Sequence, residues 1–538
     1  MKLPPSRDLR GLSQLLLTCL PWLFTLACIL KFILRLHADE LLLFDDAYMF
    51  VRYADNLLHG YGYTWNPGEA PTFGCTSIPY TLLVACARRL LPGLSASRTL
   101  IGTSAVLGLA SFSMLCLAVR AAVGPRGHKY FPWVCAALAG ILLRSDVYVY
   151  HARTGMDTML AFFANALLIF VLYAYAKKGS FGGLLAAASA AYFAFLTRPD
   201  SGIYAALVPV ILMAWVFRLG FRKIGFFILA FSTLLALDTL VKIWVFGDPL
   251  PLTFYAKQNG YLAGYLGVWN PIDFLFDFTA FASPFLLMLL FTASHALIAE
   301  LSAFLLPFGL TVAFYFTVVQ IMGFVFRFYF PSLPFIIVPA LICLHRFLNP
   351  DALIVLRFRN TAIRMLVLLP VILAFHSRKT LEQAYVHRFL PVASAAASSR
   401  HSGMDWWGSI EAMSALCDKL PPGTVVAASE YGYIGAMHPD LKILDLVGLH
   451  DPAIAHHGFQ MAYLESRHPD IIWLPHTDYR DIRDKITGSE YFRKEYAYLL
   501  DEFSYGLAYR RGLEPIVAGF LESGKLESRR LESKRAAD

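Results

Sequence analysis

The chain has 538 residues, of which 57% are hydrophobic and 16% are charged, and its mean hydropathy is +0.55. This composition excludes a soluble globular protein and indicates a polytopic membrane protein. The formal net charge of +8 does not point to nucleic acid, because the Lys and Arg residues lie in short clusters between apolar runs. The eight cysteines have no metal-ligand spacing, so neither a metal site nor a disulfide framework is predicted from them.

Eleven apolar runs are close to the roughly 20 residues that a helix needs to cross a bilayer. They are 12–37, 98–119, 131–147, 157–176, 181–197, 202–217, 224–246, 272–291, 300–319, 331–348 and 361–376. Another run, 77–92, is short and ends in Arg88 and Arg89. If it does not cross, the basic loops after the second, fourth, sixth and tenth spans all join the N-terminus in the cytoplasm, as the positive-inside rule requires. We therefore predict about eleven spans, with 77–92 as an interfacial or re-entrant segment.

The same topology places a distinct set of loops on the outer side of the membrane. They are 44–77, 148–156, 198–201, 247–271 and 320–330. These loops contain the polar residues with the most unusual context, so the residues with candidate chemical roles are expected to face one side.

From about Met404 the composition becomes that of a water-soluble α/β unit. A helical pattern from Asp405 is followed by β-type runs at 424–428 and 441–449, a helix near 459–467 and a strand at 470–474. The predicted organisation is a transmembrane module at 1–376 with its first outer loop at 44–77, a connector at 377–403, an extracytoplasmic α/β domain at 404–518 and a disordered charged tail at 519–538.

The first outer loop opens with two adjacent carboxylates, Asp45 and Asp46. A helix that begins at Asp45 turns by about 100° per residue. It places five further polar residues on the face of Asp45, namely Tyr48, Arg52, Asp55, Asn56 and His59. This pattern predicts an amphipathic helix lying along the membrane surface. Two interpretations stay open: the carboxylates act on a substrate that is half lipid and half polar, or they cap the helix and interact with its dipole.

Basic residues stand at three other places where a predicted span reaches the outer surface, namely Arg198, Lys257 and Arg327. An enzyme that acts on a membrane-anchored phosphate needs a cation for the phosphate and a carboxylate that takes a proton from the acceptor. Each cation alone can instead be a snorkelling side chain or a loop counter-charge. Asp157 can cap a helix, pair with a basic residue or accept a hydrogen bond from a sugar, and Tyr255 can stack on a sugar or belong to the interfacial aromatic belt.

Common catalytic motifs are missing from the sequence: it has no Walker loop, no GxGxxG, no HExxH and no CxxC. The commonest nucleotide-binding, metalloprotease and redox functions are therefore excluded. Adjacent Asp residues can hold a divalent ion, but a monophosphate donor does not require one. Neither a metal nor a cofactor is predicted.

Six segments in the membrane part occur in an order that resembles a known class of enzymes. They are DDAYMFVRYADNLLHGYGYTWNPGE, GCTSIPYTLLVA, TGMDT, LTRPD, VFGDPLPLTFYAK and FRFYFP. The series resembles the GT-C class of polyprenyl-phosphate-sugar glycosyltransferases. Within that class it looks most like the bacterial terminal arabinofuranosyltransferases of cell-wall arabinan assembly, and the resemblance continues into GTVVAASEYGYIGA and KILDLVGLHDP.

The resemblance implies a GT-C-like glycosyltransferase, hexosyl or pentosyl, in the bacterial inner membrane. It would move a sugar from a polyprenyl-phosphate donor to an extracytoplasmic envelope glycan or glycolipid acceptor. The general base would be a carboxylate of the first outer loop; helix geometry favours Asp45, with Asp46 orienting the helix or the donor. The implied donor-phosphate ligands are Arg198, Lys257, Arg327 and Arg52, and the implied sugar or acceptor ligands are Asp157, Tyr255, Asn56 and His59.

Two other functions are compatible with an apolar chain of this kind. A transporter or flippase of lipid-linked saccharides often has paired halves with interrupted helices, and no internal repeat is visible here. A membrane-anchored binding protein would use the soluble domain alone, which leaves the acidic first loop without a role.

Overall fold

A computed structural model of the chain describes residues 7–36, 42, 44–124, 130–258, 269–292, 298–317, 323–348, 406–476, 479–499, 503 and 505–523. The described residues up to 348 form helices joined by loops. The residues from 406 to 523 combine helices with a small sheet and are called the C-terminal unit below. The predicted connector, 377–403, lies outside the described residues.

The helical part contains fourteen α-helices within the described ranges. They are Arg7–Leu36, Asp45–Leu58, Ile78–Leu90, Ala96–Val123, Phe131–Leu142, Asp146–His151, Thr158–Ala174, Phe181–Thr197, Gly202–Ile211, Phe221–Phe246, Leu252–Gln258, Trp269–Thr292, Ile298–Tyr315 and Pro334–Leu348.

Six of the described helical segments are long and apolar enough to cross a membrane. The number becomes seven if a bent pair, Phe324–Ser332 with Pro334–Arg346, is counted as one span. Three more apolar helices are shorter. The chain is therefore a multi-pass membrane protein. All predicted spans up to 348 coincide with helices, but the number eleven is not confirmed, because three of these runs form short helices and 361–376 lies outside the described residues.

The run 77–92 forms the helix Ile78–Leu90, which has 13 residues and is too short to cross a bilayer. Its start is encoded locally, because the Ser77 side chain accepts a hydrogen bond from the Tyr80 N–H and Pro79 stands in the first turn. This length agrees with the prediction of an interfacial or re-entrant segment.

The helix Asp45–Leu58, called the first-loop helix below, forms where the sequence predicts it. Residues on all its sides are buried, including Ala47, Phe50 and Val51, because it packs between the helices Ile78–Leu90 and Gly432–Met437. Its polar face is covered by the C-terminal unit, and its position along the membrane surface stays a prediction.

The C-terminal unit contains a five-stranded sheet of order β2-β1-β3-β5-β4. The strands are β1 Val425–Ala428, β2 Lys442–Asp445, β3 Ile471–Trp473, β4 Tyr496–Leu499 and β5 Leu507–Arg510. β1 pairs in parallel with β2 and β3, whereas β5 is antiparallel to β3 and β4. The helices are Trp406–Cys417, Gly432–Met437, Pro452–His457, Met461–Arg467, Arg480–Gly488, Glu490–Glu495 and 514–523.

Both predicted helices and the first three strands of this unit are confirmed, whereas β4 and β5 were not predicted. The predicted disordered tail is wrong for residues 519–523, which belong to the helix 514–523. This helix is held by apolar contacts: Val517 is fully buried, and the ring of Phe520 stacks near that of Phe503. Residues 524–538 lie outside the described part.

Candidate functional site

Basic and acidic side chains meet near the ends of several apolar helices. Arg198 follows the helix Phe181–Thr197, Lys257 lies in Leu252–Gln258, and Arg327 lies in the bent segment before Pro334–Leu348. They are close to carboxylates of three separate segments, namely Asp46, Asp157 and Asp200. These six residues are called the charged cluster below.

Asp157 lies at the centre of the charged cluster and is 1% exposed. Its Oδ1 is 3.4 Å from Arg327 Nη2 and 3.6 Å from Arg198 Nη1. Its Oδ2 accepts a hydrogen bond of 3.1 Å from Thr76 Oγ1. Asp157 therefore bridges two cations of different helices, and Thr76 fixes its orientation.

Arg198 is held rigidly by its neighbour Asp200. Its Nη2 donates to Asp200 Oδ2 at 2.6 Å and its Nε donates to Oδ1 at 3.0 Å. The Tyr315 hydroxyl lies 2.6 Å from the same Oδ2 and 2.8 Å from the Phe328 carbonyl. The guanidinium also lies 5.3 Å from the centre of the Phe328 ring. These contacts fix the orientation of the Arg198 guanidinium.

Lys257 and Arg327 are less fully paired. Burial, together with the positive charges of Arg327 and Arg198, lowers the pKa of Lys257 to about 8, although the charges of Asp46 and Asp200 oppose the shift. Lys257 Nζ stands 5.7 Å from the centre of the Phe328 ring. Arg327 Nε is buried and has no hydrogen-bond partner among the described residues. An anion bound between these side chains would relieve the repulsion of three neighbouring cations.

Asp46 is the residue that the first-loop helix contributes to the charged cluster. Burial raises its pKa, the charges of Arg327 and Lys257 oppose that shift, and the charge of Asp157 adds to it. A carboxylate with a raised pKa can accept a proton more readily than an ordinary surface carboxylate.

Asp45 faces the opposite way, toward the C-terminal unit, and is 4% exposed. Its Oδ2 accepts a hydrogen bond of 2.9 Å from the Gly432 N–H and its Oδ1 one of 2.7 Å from the Tyr433 N–H. Burial raises the pKa of Asp45 to about 6, although these two hydrogen bonds lower it. Asp45 therefore caps the N-terminus of the helix Gly432–Met437, which is called the docked helix below.

Arg52 binds the other end of the docked helix and is 2% exposed. Its guanidinium donates to five acceptors, namely the carbonyls of Trp65, Gly435, His438 and Leu441 and the Asn66 side-chain oxygen. A Cβ at Gly432 would overlap the Asp45 carbonyl, so the close approach of the two helices needs glycine there. The first-loop helix thus holds the docked helix at both ends.

Three predicted ligands do not reach the charged cluster. Arg52 donates to the five acceptors described above, and these contacts direct it to the docked helix. Asn56 Nδ2 donates to the carbonyls of Thr64 and Trp65, and it therefore shapes the first loop. His59 is exposed, and its Nδ1 pairs with the Asp55 carbonyl. Helix periodicity placed these residues on the face of Asp45, and that face packs on the C-terminal unit.

Tyr255 lies on the helix that carries Lys257, but its ring packs 4.4 Å from that of His456 in the C-terminal unit.

Several cluster contacts were missed by sequence reasoning. Asp200 stands two residues after Arg198, a signal that was present in the sequence, whereas nothing in the sequence connects Thr76 or Tyr315 with the cluster. Within the described part of the chain, no group of three or more His, Cys, Asp or Glu residues has a metal-binding arrangement.

Comparison with known proteins gives three results. Residues 399–515 match a family described as a domain of unknown function, DUF8728. No curated protein matches the chain. Among solved structures, the chain is similar to the archaeal oligosaccharyltransferase AglB from Archaeoglobus fulgidus, in complex with an inhibitory peptide and a dolichol-phosphate. The identity is 12%, the TM-score is 0.47, and the match covers 90% of this chain and 74% of AglB. At these values the similarity says nothing about the donor, the acceptor or the mechanism.

Proposed function

We propose that this chain is an integral membrane glycosyltransferase of the GT-C type. It moves a sugar from a polyprenyl-phosphate donor to an extracytoplasmic envelope glycan or glycolipid in the bacterial inner membrane. The observation that carries the proposal is the charged cluster itself, in which three cations and the carboxylates of Asp46 and Asp157 meet at the ends of apolar helices. A phosphate attached to a lipid would lie at such a place. The motif series in the sequence favours arabinofuranose as the sugar.

In this proposal Lys257 and Arg327 bind the donor phosphate, because both have donor capacity facing the charged cluster. Arg198, braced by Asp200, adds a fixed positive charge to the same site. Asp157 lies between the two arginines and orients both. Its Oδ1 is 3.4 Å from Arg327 Nη2 and 3.6 Å from Arg198 Nη1. Their positive charge stabilises the negative charge that develops on the phosphate oxygen as the sugar leaves.

The general base is Asp46, in place of the predicted Asp45. The acceptor hydroxyl oxygen forms a bond with the anomeric carbon of the sugar while the bond from that carbon to the phosphate oxygen breaks. Asp46 takes the hydroxyl proton, and polyprenyl phosphate leaves with both electrons of the broken bond. Asp45 is not given this role, because its two oxygens accept hydrogen bonds from the Gly432 and Tyr433 N–H groups of the C-terminal unit.

The test uses the full chain in lipid nanodiscs with a polyprenyl-phosphate arabinofuranose donor and a short arabinan acceptor. We expect release of polyprenyl phosphate together with extension of the acceptor. Removing one phosphate ligand, Lys257→Ala or Arg327→Gln, should lower the transfer rate about 100-fold or more, whereas the exposed Lys494→Ala should leave it unchanged. No transfer, combined with movement of a lipid-linked saccharide across vesicle membranes, would instead identify a flippase.

A further inference from the structure

A buried histidine outside the charged cluster contacts the backbone just before Arg327. His151 is the last residue of the helix Asp146–His151 and is fully buried. Its Nε2 lies 3.0 Å from the Val325 carbonyl oxygen. Its ring lies 3.9 Å from the centre of the Phe330 ring, so it touches the bent segment on both sides of Arg327.

The backbone at this contact is in a conformation that these residues rarely adopt. Val325 has a φ of 57° and Phe326 a φ of 47°, both in the left-handed region. A β-branched residue followed by a bulky one is disfavoured there, so the surrounding structure has to hold the turn in place. The turn sets the direction of Arg327, whose N–H bonds back to the carbonyls of Gly323 and Phe324.

The contact has a defined donor and acceptor. A carbonyl oxygen only accepts, so the hydrogen must be on His151 Nε2. Burial, together with the charges of Arg327 and Arg198, lowers the pKa of His151 to about 3, although the bond to Val325 opposes the shift. The ring is therefore neutral at physiological pH. Its Nδ1 has no hydrogen-bond partner in the described part of the chain, which leaves the bond to Val325 as its fixed polar contact.

We propose that His151 is a positioning residue for Arg327: its Nε2–H donates to the Val325 carbonyl and holds the left-handed turn that directs the Arg327 guanidinium at the donor phosphate. The inference rests on the proposed function in so far as Arg327 is a phosphate ligand. It assigns His151 no contact with the substrate. Its effect on binding must therefore pass through Arg327.

The binding experiment measures the affinity of the full chain for a polyprenyl monophosphate. His151→Phe keeps a flat ring against Phe330 and removes the donor, and His151→Gln places an amide N–H near the position of Nε2. We expect about tenfold weaker binding for His151→Phe, recovery of most of the affinity in His151→Gln, and no change in the exposed control His457→Phe.

A double mutant separates positioning from a general loss of structure. If His151 acts through Arg327, adding His151→Phe to Arg327→Gln should weaken binding no further than Arg327→Gln alone. Losses that multiply, or wild-type affinity in His151→Phe, would overturn the inference.

Backbone hydrogen exchange of residues 323–330 tests the turn without any ligand. We expect faster exchange in His151→Phe, confined to this segment, and rates close to wild type in His151→Gln. Unchanged exchange would reject the inference even if lipid phosphate binds as proposed. Failure of the wild type to bind the phosphate would reject the proposed function. The hydrogen-exchange measurement would still test whether His151 holds the turn. Where His151→Phe does not fold, His151→Asn, which is too short to reach Val325, replaces it in both measurements.

Discussion

Two neighbouring carboxylates have opposite surroundings because one helical step turns the side chain by about 100°. Asp45 points to the backbone of the C-terminal unit and is held by two N–H groups. Asp46 points to the charged cluster and responds to Arg327, Lys257 and Asp157. Asp45 is therefore a structural contact with the C-terminal unit, and Asp46 is the candidate general base.

The roles of the two acids can be separated by matched amide substitutions. Asp46→Asn should lower sugar transfer by a factor of about 100 or more, because an amide does not accept the acceptor proton. Binding of polyprenyl phosphate and the Tm should stay near those of the wild type. Asp45→Asn should keep transfer within about tenfold of wild type and lower the Tm, because an amide cannot accept from both Gly432 and Tyr433. Transfer assays and thermal unfolding of both variants distinguish the two roles. Loss of transfer in Asp45→Asn, with near wild-type transfer in Asp46→Asn, would identify Asp45 as the base.

The pKa of Lys257 gives donor binding a pH dependence. Lys257 is charged below its pKa of about 8 and loses its charge as the pH rises through that value. A sugar phosphodiester keeps its single charge over this range, so affinity should fall as the pH rises, by about tenfold between pH 7 and pH 9.5.

Lys257→Arg is the matched control for this titration, because arginine stays charged throughout. Its binding should change little between the two pH values. An equal fall in Lys257→Arg and in the wild type would show that another group titrates.

At the scale of elements, the first-loop helix does two things at once. Its polar face holds the docked helix through Asp45 and Arg52. The negatively charged Asp45 lies at the N-terminal end of the docked helix and the positively charged Arg52 at its C-terminal end, an arrangement that the dipole of the docked helix favours. The same helix presents Asp46 to the charged cluster. The position of the candidate base therefore depends on contacts with residues nearly 400 positions later in the chain.

Loss of Arg52 should destabilise this arrangement strongly. Arg52→Ala leaves buried carbonyls, including those of Gly435 and Leu441, without a donor. We expect the free energy of unfolding to fall by about 3 kcal/mol or more, and Arg52→Lys should not restore it, because lysine lacks the planar fork of donors. Thermal or denaturant unfolding measures the change. The exposed Lys494→Ala should stay within about 0.5 kcal/mol of wild type, and an equally small change for Arg52→Ala would contradict this contact network.

The sequence predicted the first-loop helix well and its neighbours poorly. Periodicity correctly put Asp45, Arg52 and Asn56 on one face, but local pattern carries no information about a partner some 380 residues away. Asp45 and Arg52 bind backbone N–H and carbonyl groups of the C-terminal unit. In the structure, these two charged residues therefore hold the fold together. The cations of the charged cluster were found because each lies in a predicted outer loop, whereas the short strands β4 and β5 lack a comparably clear pattern.

For the whole molecule, the contacts of the docked helix tie the C-terminal unit to the first loop. Arg467 in that unit also pairs with Glu69 at 2.6 Å, and Leu252 at the start of the Lys257 helix bonds to the Phe73 carbonyl. Residues that touch in this way must lie on the same side of the membrane. The proposed outward orientation of the charged cluster therefore applies to the C-terminal unit as well.

Cysteine labelling in intact cells tests this orientation. Tyr61 in the first loop, Lys494 in the C-terminal unit and Lys178 in the loop after Thr158–Ala174 are exposed positions. In a background that replaces the native cysteines, a membrane-impermeant maleimide should label Tyr61→Cys and Lys494→Cys directly. It should label Lys178→Cys only after the membrane is opened, because the positive-inside rule predicts that the basic loops face the cytoplasm. Labelling of Lys178→Cys alone in intact cells would invert the topology and place the charged cluster on the cytoplasmic side, where it could not act on an extracytoplasmic acceptor.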